Sequence, residues 1–572
     1  MPATRKRSLS PAAAILPPPK RRELLSNTNP HDILRTGLER LYDELIVHIF
    51  SYLSYADLCA AQAASRNWYR LASDNHIWKS LYLSAFGRTR LRGARGFVDR
   101  TDGREVRPLP GRARGHEDTK DWKWMFRISS NWRRGRCNVE QLHEPVEGDI
   151  AGSEDNCHVL LAGPLIISAS AQITSSPAIC IHKPRANSDG SPITTLSCPS
   201  SHNSPCSVTT LALDQSHPQA SNTLSVVAFL STGEFLVFEI NHEDPVKSIR
   251  KLLYVPTHRR GQQRLAERTS PIVQAVYHNP LLISLSKTFQ LSIYDLSDNG
   301  VQHMQTLSSY TSYPPTSFVL STPTPTTYKL VMAYAIPVYP SHWTVGATEL
   351  IISAHPPSSS SSSDSSDPPS PSSVFAPGPL SSPLTVVSSR TARALDVPPG
   401  FIDEHKLRLM REQWGRKVAR VADTQTDGKW LVLAPAPREM SFDAPHRITS
   451  TSSTPPLRSS TTLQLYRLSL PSAPIHRPNS VGQSKITFVR YLEGQTSPVC
   501  ALALADGRCV SLGMNGSIWV WDLENGTGAE VAAPASIPYH LGWQARPGSV
   551  VFDDRRIITA DHDGIVVRRF DI

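Results

Sequence analysis

The chain has 572 residues, of which 39% are hydrophobic and 19% charged, a composition that excludes both a single small domain and a wholly disordered protein. The formal net charge is +10, but residues 1–40 hold eight Lys and Arg against three Asp and Glu, and residues 88–136 hold fifteen against six. The basic balance is therefore local, and it argues against a nucleic-acid surface on the remainder. No apolar run approaches the ~20 residues that cross a bilayer, so we expect no membrane partner and a location in the nucleus, the cytoplasm or both.

Residues 1–37 form a basic, Pro-rich tail that we expect to be disordered. Its two clusters, Arg5-Lys6-Arg7 and Lys20-Arg21-Arg22, have a spacing that resembles a bipartite nuclear import signal. A merely solvated basic tail explains the same residues equally well.

Residues 38–86 have the pattern of several short helices. Leu45, Ile49 and Leu53 lie four residues apart and form one stripe of an amphipathic helix, with Asp43 and Glu44 near its positive N-terminal end. A module of this size is too small to bury all its apolar faces. We therefore expect a partner or another domain to cover the remaining apolar surface.

The same segment carries an ordered set of residues with specific spacing. The set consists of Leu41, Glu44, Leu45, Ile49, Phe50, Leu53, Asp57, Leu58, Trp68, Asp74 and Trp78. In this order the segment resembles an F-box. Two positions depart from the family pattern, because Tyr42 replaces the usual Pro and Ala64 replaces an aliphatic residue.

The resemblance implies that the module docks onto a Skp-type adaptor and thereby joins a cullin ubiquitin ligase. The residues implied in adaptor binding are Leu41, Tyr42, Leu45, Ile49, Phe50, Leu53 and Leu58. The alternative is a helical hairpin that buries its apolar face in its own core.

Residues 87–135 are interpreted as a basic linker with a short helix. The Arg- and Gly-rich stretch 88–117 is compatible with non-specific nucleic-acid binding, but a solvated loop between domains is the favoured interpretation. The aromatic run that begins at Asp121-Trp122 predicts a helix that anchors the linker.

From residue 136 onward the chain shows a repeating β pattern. Short alternating runs end in an aromatic, acidic and aliphatic triplet, as in Phe238-Glu239-Ile240, Tyr294-Asp295-Leu296, Trp521-Asp522-Leu523 and Phe570-Asp571-Ile572. Turn pairs such as Asn515-Gly516 precede the runs and predict β-hairpins. Seven such blocks resemble a WD-repeat propeller, with six or eight blades as alternatives.

The last triplet ends at Ile572 and leaves no residues for the outer strand of the last blade. An unpaired edge is unfavourable, and WD-repeat propellers close by borrowing a strand from the start of the domain. We therefore predict that residues 136–142 pair with residues 565–572. The preceding Asn131-Trp132-Arg133-Arg134-Gly135 resembles the linker of F-box/WD-repeat proteins.

Two parts of the predicted propeller depart from the β pattern. Residues 355–400 contain six consecutive Ser residues at 358–363 and are predicted to be a disordered insertion, followed by a short helix within 401–415. The loop between the second and third blocks supplies a candidate substrate site for a phosphorylated or acidic segment. Its members are Arg259, Arg260, Arg264 and Arg268; solvated surface Arg is the simpler alternative.

The sequence contains no nucleotide-binding, nucleophile-elbow or metalloprotease motif and no spaced Cys and His cluster. We therefore expect no catalytic residue, metal or cofactor. The expected architecture is a small all-α F-box module followed by an all-β propeller of about seven blades. The expected function is a non-catalytic substrate-recognition subunit of a Skp/cullin/F-box ubiquitin ligase. The alternative is a nuclear WD-repeat scaffold that contacts nucleic acid and is not a ligase receptor.

Overall fold

The computed structural model describes residues 41–86, 121–142, 157–184, 190–201, 204–216, 223–256, 270–297, 300–324, 326–338, 341–353, 384–397, 400–437, 460–470, 484–505, 507–533, 548–561 and 564–572. The predictions for the tail 1–37 and the stretch 88–117 lie outside these residues. The chain divides into two compact units, residues 1–81 and 82–572.

The first unit consists of short helices. They are α1 (Asp43–Phe50), α2 (Tyr55–Ala64), α3 (Arg66–Ala72) and the first part of α4 (Asn75–Phe86), which continues past residue 81. Ser54 and Ser65 cap α2 and α3, since each hydroxyl accepts a hydrogen bond from the backbone N–H three residues on. The first helix is shorter than predicted: Leu53 lies in the following turn, where its N–H donates to the carbonyl of Phe50 at 3.1 Å.

The core of this unit is formed by one side of each helix. The rings of Phe50 and Trp68 meet edge to face, with centroids 5.4 Å apart. The indole N–H of Trp78 donates to the carbonyl oxygen of Ala72 at 2.8 Å, so this buried polar group is satisfied. Buried with them are Ile46, Leu58, Leu71 and Ile77.

The second unit contains a closed ring of seven antiparallel, four-stranded sheets, which confirms the predicted propeller. A helix, α5 (Trp122–Arg134), precedes the strands, and a further helix, α6 (Glu404–Trp414), joins the fourth blade to the fifth. The strands are β1 (Asn138–Leu142), β2 (Cys157–Ala162), β3 (Leu165–Ser170), β4 (Ala178–His182), β5 (Thr194–Ser197), β6 (Val208–Leu213), β7 (Thr223–Leu230), β8 (Phe235–Asn241), β9 (Ile249–Tyr254), β10 (Ile272–His278), β11 (Leu281–Ser286), β12 (Gln290–Asp295), β13 (Gln302–Ser308), β14 (Tyr313–Thr324), β15 (Thr327–Val338), β16 (His342–Ser353), β17 (Thr385–Arg393), β18 (Val421–Thr426), β19 (Trp430–Pro435), β20 (Leu463–Ser469), β21 (Lys485–Leu492), β22 (Val499–Ala505), β23 (Arg508–Gly513), β24 (Ile518–Asp522), β25 (Thr527–Ala532), β26 (Ser549–Phe552), β27 (Arg556–Asp561) and β28 (Gly564–Arg569).

Each blade takes four consecutive strands except the seventh, which closes the ring. Its order is β1-β28-β27-β26, and β1 pairs antiparallel with β28, Asn138 opposite Arg569 and Leu142 opposite Ile565. The predicted borrowing of the outer strand is confirmed.

The prediction of disorder across residues 355–400 is wrong at its C-terminal end. Strand β17 is the outer strand of the fourth blade and pairs with β16, Gly346 opposite Arg393. The Ser- and Pro-rich composition ends at Pro383, and the β-branched Thr385-Val386-Val387 that follows is a strand former. Leu384 and Ala392 are buried, and this burial offsets the entropy of ordering the strand. The Ser run at 358–363 lies outside the described residues.

The strand directions give the propeller two distinct faces. The first strands of neighbouring blades contact one another and form the inner ring. Because the pairing is antiparallel throughout, the first-to-second and third-to-fourth strand turns of every blade lie at one end of the sheets. We call this end the linker face. The second-to-third strand turns and the connections between blades lie at the other end, which we call the loop face.

Helix α5 packs on the linker face of the sixth and seventh blades. Trp132 stacks on Phe570 with ring centroids 4.0 Å apart, and its indole N–H donates to the carbonyl of Asp554 at 3.2 Å. The Asn131 amide donates to the carbonyl of Phe570 at 2.8 Å. The helix ends at Gly135, whose φ of +65° suits glycine. The linker helix predicted from the aromatic run is therefore present, and it fixes the entry to β1.

Candidate docking surfaces

Helix α1 presents one apolar side to solvent. The side chains of Tyr42, Leu45 and Ile49 are 79%, 49% and 43% exposed. The helical period places these residues on one side, whereas Ile46 and Phe50 point into the core of the unit. An ion pair between Asp43 and Arg70 of α3 holds the N-terminal end of α1 in place. The exposed face is therefore carried by a fixed helix.

The structure supports only part of the predicted adaptor-binding set as a surface. Leu41 is also exposed and Leu53 is partly buried. Phe50 and Leu58 are buried in the core of the unit and are not part of the exposed face: Phe50 packs on Trp68 and Leu58 is fully enclosed. Their role in adaptor binding stays a prediction. The predicted motif combines core and surface positions, and the motif alone does not separate them.

Two exposed aromatic residues of this unit were not in the predicted set. Tyr52 follows α1 and is well exposed, and its hydroxyl lies 3.4 Å from Nε2 of His48. Tyr69 is exposed on α3. Tyr52 continues the spacing of Tyr42, Leu45 and Ile49, and this spacing is the signal that identifies it.

The candidate substrate residues Arg259, Arg260, Arg264 and Arg268 lie outside the described residues. Their loop joins β9 to β10, and both ends of a connection between blades lie at the loop face. The structure therefore gives the face from which this loop leaves the propeller but no geometry for the four guanidinium groups.

A hydrogen-bonded network fixes the sixth blade at the loop face. The indole N–H of Trp521 donates to the hydroxyl of Ser511 at 3.0 Å, and that hydroxyl donates to Oε1 of Gln495 at 2.8 Å. The Gln495 amide donates to Ser517 at 3.2 Å, and Ser517 donates to Asn515 Oδ1 at 2.6 Å. The aromatic residue of this triplet therefore has a structural role: Trp521 is linked through Ser511, Gln495 and Ser517 to the hairpin turn at Asn515-Gly516.

Side chains also link neighbouring blades at the linker face. One carboxylate oxygen of Asp427, in the turn after β18, accepts from the N–H of Gly507 in the sixth blade at 3.1 Å. The other accepts from the N–H of Trp430 at 2.6 Å. Arg556 of the seventh blade donates to the carbonyl of Pro164 in the first blade at 3.3 Å. These contacts stabilise the ring.

The described residues show no disulfide and no group placed to hold a metal ion. All eight cysteines are among them and none forms a disulfide. Burial raises the pKa of Cys198 and of Cys500 to about 12, which keeps these thiols protonated and poorly nucleophilic. Within the same residues no group of three or more His, Cys, Asp or Glu side chains is placed to hold a metal ion, and no helix has the length and apolar character to cross a bilayer.

Comparison with known families gives two matches. Residues 38–84 match the F-box-like family, and residues 178–370 match the family described as the F-box protein pof12 beta-propeller. The first match covers the helices that carry the exposed face of α1. The second covers strands β4–β16 and ends in the segment after β16.

Individual proteins match over short parts of their length. A probable E3 ubiquitin ligase complex SCF subunit sconB from Arthroderma benhamiae is 29% identical over 128 residues, 19% of this chain and 19% of that protein. F-box only protein 15 from Macaca fascicularis is 47% identical over 47 residues, 8% of this chain and 11% of that protein. The chain thus matches no more than about a fifth of the length of these relatives. Among solved structures, the C-terminal WD40 domain of Sif2 covers 72% of this chain and 80% of its own, with 13% identity and a TM-score of 0.33.

Proposed function

Because the chain is an F-box protein with a seven-bladed β-propeller, we propose that it is a non-catalytic substrate-recognition subunit of a Skp/cullin/F-box ubiquitin ligase. In this proposal α1 binds a Skp-type adaptor, which connects to a cullin, and the propeller binds the protein to be ubiquitinated. The name of the sconB relative, an SCF subunit, supports the same assignment.

The observation that carries the proposal is the uncovered apolar face of α1. Burial of apolar surface contributes roughly 25 cal/mol per Å². A partner groove that covers Tyr42, Leu45 and Ile49 therefore gains binding free energy. The Asp43 to Arg70 ion pair and the Phe50 to Trp68 contact keep the helix in position before any partner arrives. A face that is already ordered loses little conformational entropy on binding.

The role of the propeller follows from proximity. A ligase receptor needs no catalytic group, because it converts the encounter between a substrate lysine and a ubiquitin-loaded enzyme into a local event. Helix α5 occupies part of the linker face, so we assign substrate binding to the loop face, where the blade connections lie.

Affinity purification of the full chain tests the adaptor assignment. The Leu45→Asp and Ile49→Asp double variant places two charges on the exposed face, and we expect it to lose the adaptor and the cullin by more than tenfold. The control is Val246→Asp with Ile249→Asp, two apolar positions on the second blade that are 66% and 59% exposed. Both variants should keep the thermal transition of the propeller. A double variant on α1 that still captures the cullin would refute the proposal.

The alternative of a nuclear scaffold depends on residues 88–117, which lie outside the described residues, so no described contact favours it. Nuclear localisation likewise stays a prediction from the tail.

A further inference from the structure

The loop face of the propeller carries an aromatic and basic surface over its third to fifth blades. Tyr310, in the connection before β14, is 87% exposed, and Phe401, before α6, is 85% exposed. We define the loop-face patch by its aromatic and apolar members and two cations: Tyr310, Tyr313, Trp343, Phe401, Leu407, Trp414, Arg408 and Arg411.

Contacts tie the segment that follows α6 to the fourth blade. The ring of Tyr313, at the start of β14, meets the ring of Trp343, at the start of β16, with centroids 5.5 Å apart. The N–H of Trp343 donates to the carbonyl of Val418 at 2.7 Å, and the N–H of Val418 donates back at 2.9 Å. These bonds tie the segment after α6 to the fourth blade. Three separate connections of the loop face therefore meet at Trp343.

Helix α6 buries none of its own residues. Its N-terminus is capped by Asp403, which accepts from the N–H of Lys406 at 2.7 Å. After its C-terminus, the carbonyl of Arg416 accepts from the Gln464 amide at 2.9 Å. An isolated helix of this length is marginal in water. Leu407 and Trp414 are nevertheless exposed on it, so the helix displays apolar groups that the propeller does not cover.

The charge of the segment indicates what chemistry this surface accepts. Residues 401–420 contain six Lys and Arg against three Asp and Glu, a net +3. Lys417 Nζ lies 4.2 Å from the centroid of the Trp414 ring, so cation and aromatic ring form one site. Arg408 and Arg411 are exposed and three residues apart on the helix. The surface thus offers guanidinium groups next to uncovered rings.

We propose that the loop-face patch docks an acidic segment of a partner polypeptide that also carries aromatic or aliphatic side chains. The carboxylates of this segment pair with the guanidinium groups of Arg408 and Arg411, whose planar shape suits bidentate hydrogen bonds to a carboxylate. The apolar side chains cover Phe401, Leu407 and Trp414. The inference rests on the proposed function, because the segment would belong to the substrate. A nucleic acid is the competing polyanion, and binding of DNA as tight as that of the acidic peptide would overturn the proposal.

Fluorescence anisotropy with the purified full chain tests this proposal. The probe is a labelled 16-residue peptide of four Glu-Asp-Phe-Leu repeats; its neutral counterpart has four Gln-Asn-Phe-Leu repeats, and a single-stranded DNA of 16 nucleotides is the third ligand. We expect the acidic peptide to bind at least tenfold more tightly than the neutral peptide or the DNA. Its binding should weaken as salt rises, because exposed charges are screened.

Substitutions in the loop-face patch test whether the peptides bind there. Arg408→Glu with Arg411→Glu should weaken the acidic peptide by at least tenfold, and Phe401→Ala with Trp414→Ala should weaken both peptides. The charge control is Arg250→Glu with Lys485→Glu, two exposed cations on outer strands, which should change binding by less than twofold. Absence of acidic-peptide binding, equal binding of the neutral peptide or the DNA, or an unaffected charge-reversal variant would each overturn the proposal.

The ligase assignment and the loop-face patch can be refuted independently of each other. The α1 double variant Leu45→Asp and Ile49→Asp should retain peptide binding. Adaptor capture without acidic-peptide binding would refute the patch and leave the ligase assignment standing, whereas peptide binding without adaptor capture would refute the ligase assignment.

Discussion

Helices α1 and α5 show similar amphipathic patterns but differ in what covers their apolar sides. Helix α5 buries its apolar and aromatic residues against its own unit; they are Trp122, Met125, Phe126, Ile128 and Trp132. Helix α1 buries only Ile46 and Phe50 and leaves Tyr42, Leu45 and Ile49 exposed. The same kind of sequence pattern therefore produces an intramolecular anchor in one helix and an open docking face in the other.

The difference follows from the surface that each unit offers. Helix α5 lies against a large propeller, whose Phe570, Phe552 and Arg508 all reach Trp132. Helix α1 belongs to a small unit, where three short helices cannot surround a fourth element on all sides. An amphipathic pattern predicts that a face will be covered, but the size of the unit decides whether the chain itself can supply the cover.

The largest effect is expected from removal of the strand that follows α5. Replacement of residues 138–142 by Gly-Ser-Gly-Ser-Gly removes the buried Leu142 side chain and lowers the strand propensity of β1, which weakens its pairing with β28. We expect loss of the cooperative thermal transition of the propeller and aggregation through the open edge. Val139→Thr, at an exposed position of β1, should change stability by less than about 0.5 kcal/mol. A full transition after the replacement would show that β1 is not needed for closure.

The next largest effect is expected from a substitution in α5, compared with one in α1. Trp132→Ala removes a fully packed indole and leaves a cavity, which should cost about 3 to 5 kcal/mol of unfolding free energy. Ile49→Ala on α1 removes an exposed side chain and should cost less than about 1 kcal/mol while it weakens adaptor binding. Urea unfolding of the full chain measures both. Equal costs would mean that the α1 face is covered within the chain.

The propeller could be predicted from the sequence because its repeating β pattern and the number of strands are visible in the sequence itself. The closing strand was predicted from the β pattern of residues 136–142 just before the first block, and β1 indeed pairs with β28. Strand β17 was missed because the Ser-rich run before it dominates the local composition. Its identity as a strand depends on pairing with β16, which is a long-range contact.

The docking surfaces were predicted less completely than the fold. The prediction of Phe50 and Leu58 as adaptor-binding residues comes from a family pattern, which does not distinguish residues that fold a module from residues that contact a partner, and the structure buries both. The helix within 401–415 was predicted from its pattern and is present as α6, but its position beside Tyr313 and Trp343 depends on loops far apart in the sequence. Such a surface is a product of the tertiary fold.

A smaller effect is expected in the polar network of the sixth blade. Ser511→Ala leaves the Trp521 indole N–H and the Gln495 carbonyl without their partner in a buried site, and should cost about 1 to 3 kcal/mol. The matched control is Ser292→Ala on the third blade, whose hydroxyl bonds Thr306 at an exposed position and should cost almost nothing. Thermal unfolding of the propeller compares the two. Equal melting temperatures would show that the network does not stabilise the blade.

The smallest effect is expected in the first unit, from loss of the N-cap of α2. Ser54→Ala removes the hydroxyl that caps α2, and a lost N-cap costs about 1 kcal/mol. Hydrogen exchange of the α2 amides in the full chain should accelerate about fivefold. Ser51→Ala, whose hydroxyl donates to His48 at the other end of the loop, should leave α2 unchanged. Leu58 of α2 lies in the core of the unit, so the loosened cap should reduce adaptor affinity only slightly. A large loss would mean that α2 contacts the adaptor itself.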